Sequence, residues 1–200
     1  MTLSARDLSA KLSKACVRSI SATLVRCVPQ IDFMQHIPPV YLFASGQRNR
    51  CNPKGVSCIY FSEDEATANA EYNAQWIGTE AEDQPKLTFR ANVRLSRVLD
   101  LEAEDIRRLL ALTDSDLFGS WRRSKGDLPL QSIGRAVDRQ SKISAIRFPS
   151  KAARDAGSPG WNFAIFKRAV HPPDRVEILG NTGAPIEVWP ASVSRPKTAT

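Results

Sequence analysis

Histidine is nearly absent from this 200-residue chain, which carries only His36 and His171. Two imidazoles exclude a histidine-rich metal cluster, and no carboxylate spacing takes its place, so no metal is expected. Cysteine is sparse as well. Cys16, Cys27, Cys51 and Cys58 form no CxxC pair and lack the density of a secreted disulfide scaffold, which fits a reducing cytoplasm. No apolar run approaches the roughly 20 residues that span a bilayer, and the mixed N-terminus lacks the apolar stretch of a secretory signal. Neither a membrane protein nor a large multidomain machine is expected at this length.

What is present suffices for a fold. Apolar residues make up 42% and charged residues 24%, enough for a sizeable core and unlike a disordered chain. The net charge is +7, and its distribution is uneven. Residues 61–83 hold Glu63, Asp64, Glu65, Glu71, Glu80, Glu82 and Asp83 with no Lys or Arg, whereas residues 120–155 hold nine basic side chains against three acidic ones. Three readings fit the basic segment: a nucleic-acid surface, a surface for an anionic small molecule or acidic partner, and an ordinary solvated face.

Residues 1–20 carry Leu3, Leu8, Leu12 and Ala15 among polar groups and read as an N-terminal helical extension. A strand is expected over 23–28, ended by Pro29, and a polar connection over 45–55, punctuated by Asn52-Pro53 and Gly55. A buried strand at 57–61 leads into Ser62-Glu63-Asp64-Glu65, where Ser62 and Glu65 form a capping box. In the helix that follows, Ala68, Tyr72 and Trp76 make the buried stripe, with Glu71 at its border. A strand over 86–95 and a helix over 102–112, with Ile106, Leu109 and Leu110 inward, come next. Residues 113–127 read as a loop or irregular helix, and Pro129 opens another helix through Val137. Strands at 144–148 and 161–166 complete a mixed α/β domain over 21–189, and the tail from 190 to 200 is expected to fray.

Three features carry chemistry. The loop 46–55 places Arg48 and Arg50 on either side of Asn49, and their guanidinium forks suit a diphosphate, with Gly55 letting the backbone approach; taken alone, the same residues read more readily as a solvent-facing basic turn. Arg26 sits inside an apolar strand and needs an anion, a carboxylate or an exit to water. Glu71, on the helix after strand 57–61, either turns into a cleft or lies at a wet edge. Ser150 has no Gly-x-Ser-x-Gly elbow and no histidine partner, so hydrolase triad chemistry is not indicated.

Together these residues resemble the RES-domain family, bacterial toxins that often operate with a partner antitoxin. The resemblance is carried by Arg26 in Leu24-Val25-Arg26, by Glu71 in Thr67-Ala68-Asn69-Ala70-Glu71 and by Ser150 in Phe148-Pro149-Ser150. Arg50-Cys51-Asn52-Pro53-Lys54-Gly55, Ile59-Tyr60-Phe61-Ser62, Gly160-Trp161-Asn162 and His171-Pro172 match further elements in order, over residues 24–176. Cys51 and Val25 stand where family members commonly carry tryptophan and an aromatic residue. The family's additional active-site tyrosine falls near Tyr41, since Tyr60 belongs to the apolar strand.

The resemblance implies a mixed-sheet α/β fold like those of ADP-ribosyltransferases, with NAD as substrate rather than as a retained cofactor. Arg26, Glu71 and Ser150 become the expected catalytic residues, and Arg26, Arg48, Arg50, Asn52 and Tyr41 the expected NAD-binding ones, with His171 a lower-ranked candidate. Expected partners are a cognate antitoxin, a protein acceptor of ADP-ribose and a second copy of the chain within the toxin–antitoxin complex. Nucleic acid is not expected to bind this chain. Transfer of ADP-ribose to a protein of nucleotide biosynthesis stands beside NAD glycohydrolysis or phosphorolysis. A non-enzymatic basic adaptor is the alternative from another class.

Overall fold

The computed structural model describes residues 4–31, 46–78, 85–122, 124, 126–140 and 142–190. The N-terminal segment folds as α1 (Ala5–Lys14), whose first turn is capped by Ser4 accepting from the Asp7 amide. Its two leucines face inward. Leu8 and Leu12 are buried in the domain's own core, and Lys11 Nζ donates to the Leu109 carbonyl at 2.6 Å.

Among the described residues the sheet has seven strands: β1 (Arg18–Pro29), β2 (Ile59–Ser62), β3 (Lys86–Asp100), β4 (Ala145–Pro149), β5 (Trp161–Ile165), β6 (Arg175–Leu179) and β7 (Pro185–Trp189). Their order is β1-β2-β5-β4-β3-β6-β7, and β1 also pairs with β3, so the sheet curls back on itself. Among the described residues only β3 and β4 run parallel. Along β3, Phe89, Ala91, Val93 and Leu95 are buried and alternate with exposed polar residues, the period-two pattern of a half-solvated strand. The pattern then becomes continuous at Val98, Leu99 and Asp100, where β3 leaves β6 and takes β4 as its neighbour.

Two apolar clusters result. One fills the curl of the sheet with Leu24, Phe61, Phe163 and Trp189; the other lies between the sheet and a helical layer. That layer contains α1, α3 (Glu104–Leu110), α4 (Asp114–Phe118) and α5 (Pro129–Gln140). The remaining helices, α2 (Glu65–Trp76) and α6 (Lys151–Asp155), pack against each other and carry the expected chemistry.

Several local expectations need correction. Asp64, not Ser62, caps α2, accepting from the Thr67 amide at 2.7 Å; the Ser62 hydroxyl is committed to Asn162. Ala68 and Tyr72 are buried as expected, while Trp76 is half-buried and tilts against Tyr72. Leu109 is half-buried, whereas Ile106 and Leu110 are inward. Within 113–127 a short regular helix, α4, forms with its own capping box between Thr113 and Asp116. Strands β6 and β7 were not anticipated.

Candidate functional site

A cleft of about 780 Å3 opens where the loop 46–52, the edge of β1 and β2, the inner face of α2 and the start of α6 converge. Arg26, Arg48, Arg50, Asn52 and Glu71 all line it. Ser150, with only 1% of its area exposed, does not line the cleft and meets it through its bond to Glu71. Tyr41 lies outside the described residues.

Glu71 is held by donors from two other elements. Ser150 Oγ donates to Glu71 Oε1 at 2.6 Å, and Asn162 Nδ2 donates to the same oxygen at 2.7 Å. Ser62 Oγ in turn donates to Asn162 Oδ1 at 2.8 Å. Ser62, Ser150 and Asn162 are all buried, so each hydroxyl or amide must find a partner, and the chain they form fixes the carboxylate. Ser150 is doubly used: as the N-cap of α6 it also accepts from the Ala153 amide at 3.0 Å. Oε2 of Glu71 accepts no hydrogen bond from any described residue. Gly160 makes this closure feasible, because a Cβ there would lie 2.4 Å from Thr67 Oγ1 on α2 and 2.8 Å from Ala153 Cβ on α6.

Asn162 and Ser62 were missed as functional residues, although both belong to motifs visible in the chain. Their mutual bond spans 100 residues, so no local spacing announces it.

Arg26 is half-buried on β1, and one of its terminal nitrogens donates to the Tyr60 carbonyl at 2.8 Å. Arg26 lines the same cleft as Ser62, Glu71 and Asn162.

The arginines of the 46–55 loop do more structural work than expected. Arg48 donates to the carbonyls of Ser124 at 2.8 Å and Gly126 at 2.7 Å and to Gln131 Oε1 at 3.1 Å. Arg50 donates to the carbonyls of Leu117 at 2.9 Å and Gly119 at 3.1 Å, at the C-terminus of α4. Their charges line the cleft while these N–H groups hold the segment 117–126. The loop itself closes through the Gly55 amide on the Gly46 carbonyl at 2.8 Å, with Gly55 at φ 87°, a left-handed conformation that favours glycine.

Asn52 is 1% exposed and is the loop's internal brace. Its Nδ2 donates to the carbonyls of Gln47 at 2.6 Å and Val56 at 2.9 Å, and its Oδ1 accepts from the Tyr60 hydroxyl at 2.7 Å. The same hydroxyl accepts from the Cys51 amide at 2.9 Å. Tyr60 thus lines the cleft and couples the loop to β2, a role its place in an apolar strand concealed. Burial raises its pKa well above the usual phenol value, and burial likewise raises Cys51 and pushes Cys58 up to about 12. None of the three is an anion at neutral pH.

Arg147 was also missed. Though 5% exposed, it donates to Asp100 Oδ1 at 3.2 Å and Glu63 Oε2 at 3.0 Å, pairs with Glu102, and lies 4.4 Å from the centre of the Trp161 ring. Burial works against its charge, but the hydrogen bonds it donates to Glu102 and Glu63 and the field of Asp100 outweigh it and raise its pKa. The cluster ties the ends of β3, β4 and β5 three residues before Ser150. The basic segment 120–155 is therefore no continuous patch: Arg147 is buried, Arg135 pairs with Asp127, Arg154 stacks on Phe118 and Arg122 lines the cleft. His171 is exposed on the turn before β6 and does not line the cleft.

Among the described residues no group of three or more His, Cys, Asp or Glu is placed to hold a metal, and no helix is long and apolar enough to cross a membrane. No protein of curated function matches the sequence. Among solved structures, the chain is similar to one in the crystal structure of the M. tuberculosis MbcT-MbcA toxin-antitoxin complex. The two share 20% identity at a TM-score of 0.58, over 83% of this chain and 86% of that one, a likeness of fold. The model of the RES domain matches residues 23–189, from the middle of β1 to the end of β7. With Arg26, Glu71 and Ser150 all inside that span, the chain belongs to the RES domain family.

Proposed function

We propose that this chain is the toxin of a toxin–antitoxin pair that cleaves the nicotinamide–ribose bond of NAD and transfers ADP-ribose to another protein, one of nucleotide biosynthesis. The observation that carries the reading is the Glu71 carboxylate, fixed at Oε1 by Ser150 and Asn162 and open at Oε2, in a cleft that also holds Arg26. The volume of about 780 Å3 falls within the roughly 300–1,000 Å3 of small-molecule sites.

Nicotinamide is already a cationic leaving group. The bond from ribose C1′ to the pyridinium nitrogen breaks, its electron pair leaves with neutral nicotinamide, and C1′ gains oxocarbenium character. The acceptor's lone pair then closes the new bond as the acceptor loses its proton to water. Little covalent work falls to the protein, which must hold the bond and oppose the developing positive charge. In this reading Glu71 Oε2 accepts a ribose hydroxyl and its charge faces the oxocarbenium. Ser150 and Asn162 keep the carboxylate from turning away, and Arg26 meets the diphosphate. Arg48 and Arg50 add positive potential to the same wall while holding the 117–126 segment, and Asn52 keeps their loop in shape. Tyr41 remains a proposed ligand of NAD through the family resemblance.

A cognate antitoxin belongs to this reading, since a free enzyme of this kind stops growth. The test is to incubate purified protein with adenine-labelled NAD, with and without phosphate and cell extract, and to separate products. A labelled protein band is expected. Free ADP-ribose would assign hydrolysis instead, and its phosphorylated form phosphorolysis. Unchanged NAD in every mixture would overturn the reading.

A further inference from the structure

One wall of the cleft carries two side chains that the proposed reaction has not used. Trp121 and Arg122 follow α4 on the segment whose carbonyls Arg48 and Arg50 hold, and both line the cleft. Trp121 is half-buried and Arg122 exposed, with the guanidinium carbon 4.8 Å from the indole centroid. Among the described residues neither side chain has another ring contact, an ion pair or a hydrogen bond. Lys151, on the neighbouring wall, differs in being paired with Asp155. Arg122 thus presents a cation without a carboxylate among the described residues, beside the half-buried indole of Trp121 on the cleft wall.

This wall is separate from the carboxylate chain. Glu71, Ser62, Ser150 and Asn162 bond to one another and to the start of α6, and to nothing on the 120–122 segment. A dinucleotide whose reacting ribose sits at Glu71 carries a second base and a diphosphate, and this wall of the same cleft offers an indole and a guanidinium to them. Indole faces stack any purine or pyrimidine, guanidinium pairs with phosphate oxygens, and the two together are a usual way of holding a nucleotide.

We infer that Trp121 and Arg122 form the adenylate subsite of the cleft, with the indole stacking the purine and the guanidinium meeting the diphosphate. The inference rests on NAD being the substrate, and it adds a selectivity: the chain prefers a dinucleotide over a mononucleotide that carries the same scissile bond. Arg26 then serves the reacting end of the diphosphate and Arg122 the far end.

The test compares wild type, Trp121→Ala, Trp121→Phe and Arg122→Gln with NAD and with nicotinamide mononucleotide, which lacks the adenylate half. Trp121→Ala and Arg122→Gln are expected to raise KM for NAD about tenfold with kcat little changed, to leave the kinetics of the mononucleotide as they were, and Trp121→Phe to retain most of the NAD preference. Loss of activity on both substrates in parallel, or an unchanged KM for NAD, would overturn the inference. If Trp121→Ala fails to fold, Trp121→Phe and Arg122→Gln carry the same comparison. Calorimetric titration with AMP separates this inference from the NAD reading. If wild type cleaves neither substrate yet binds AMP in a Trp121- and Arg122-dependent way, the subsite stands while the NAD reading falls. AMP binding that is absent, or indifferent to both substitutions, removes the subsite.

Discussion

Glu71→Gln isolates charge from geometry at the centre of the cleft. The amide oxygen of glutamine can take the place of Oε1, so Ser150 Oγ and Asn162 Nδ2, now at 2.6 and 2.7 Å, keep an acceptor. Exchanging two charge-assisted bonds for neutral ones on a half-buried side chain costs about 1 kcal/mol of folding stability. The effect on the reaction is far larger, because the group that opposes the oxocarbenium has lost its charge. Removing one preorganised electrostatic partner of a transition state costs about 3–4 kcal/mol, or roughly 100- to 1,000-fold in kcat. Glu71→Ala differs instructively. It leaves the hydroxyl of Ser150, 1% exposed, without its acceptor, at about 1–3 kcal/mol of stability on top of the catalytic loss. Nicotinamide release, followed by chromatography, and thermal melting of both variants provide the two readouts. The expected pattern is Glu71→Gln folded and nearly inactive, with Glu71→Ala inactive and less stable. A folded Glu71→Gln variant that turns over NAD at near the wild-type rate would refute the electrostatic role.

Four further outcomes follow from the geometry. Ser150→Ala removes a donor to Glu71 and the cap of α6 together, so it should lower kcat sharply and cost about 1 kcal/mol in a denaturant titration from the cap alone. Arg147→Met removes the cation shared by Asp100, Glu102 and Glu63, but Asp100 keeps Arg18 and the two glutamates are half-exposed, so the unfolding free energy should fall by about 1–3 kcal/mol in guanidinium. Gly134→Ala would bring a Cβ to 1.7 Å from the Cys51 carbonyl oxygen, forcing α5 off the 46–55 loop; a clear loss of melting temperature is expected, and an unchanged one would show that the contact yields. Alkaline unfolding should be steep. Cys51, Cys58 and Tyr60 stay protonated in the fold above the pH at which they ionise in the unfolded chain, so their contribution is whole below pH 9 and is lost as pH rises toward the folded pKa, about 12 for Cys58. The slope is about 1.4 kcal/mol per pH unit per group, and Cys58→Ala should reduce it.

The sequence was most readable where the determinants were local. Alternation revealed the first part of β3, and the placement of Ala68 and Tyr72 put Glu71 on the border of a buried stripe, which is where it stands. The extension of β3 to Asp100 escaped because a strand buried on both faces loses its alternation. The Thr113–Asp116 capping box and the apolar alternation of β6 are equally local signals in the chain. Other misses were not local at all. Ser62 and Asp64 are both competent caps, and the choice fell to Asp64 because Asn162, distant in sequence, claims Ser62. Arg48 and Arg50 look like free anion clamps until the carbonyls of 117–126 are brought to them. Arg147 is the instructive case. The reasoning that flagged Arg26 as a charge inside an apolar strand applies equally to Arg147 in Ala145–Pro149, and it would have directed the search to Asp100, Glu102 and Glu63.

The central claim is that this cleft breaks the nicotinamide–ribose bond and that Glu71 is the group on which the breaking depends. Nicotinamide released from NAD by the purified chain, measured side by side for wild type and Glu71→Gln, tests it most directly. The account requires release by wild type and a loss of roughly 100-fold or more in the folded variant. Equal release by the two proteins, or none from folded wild type with water, phosphate and cell extract all supplied as acceptors, would contradict it.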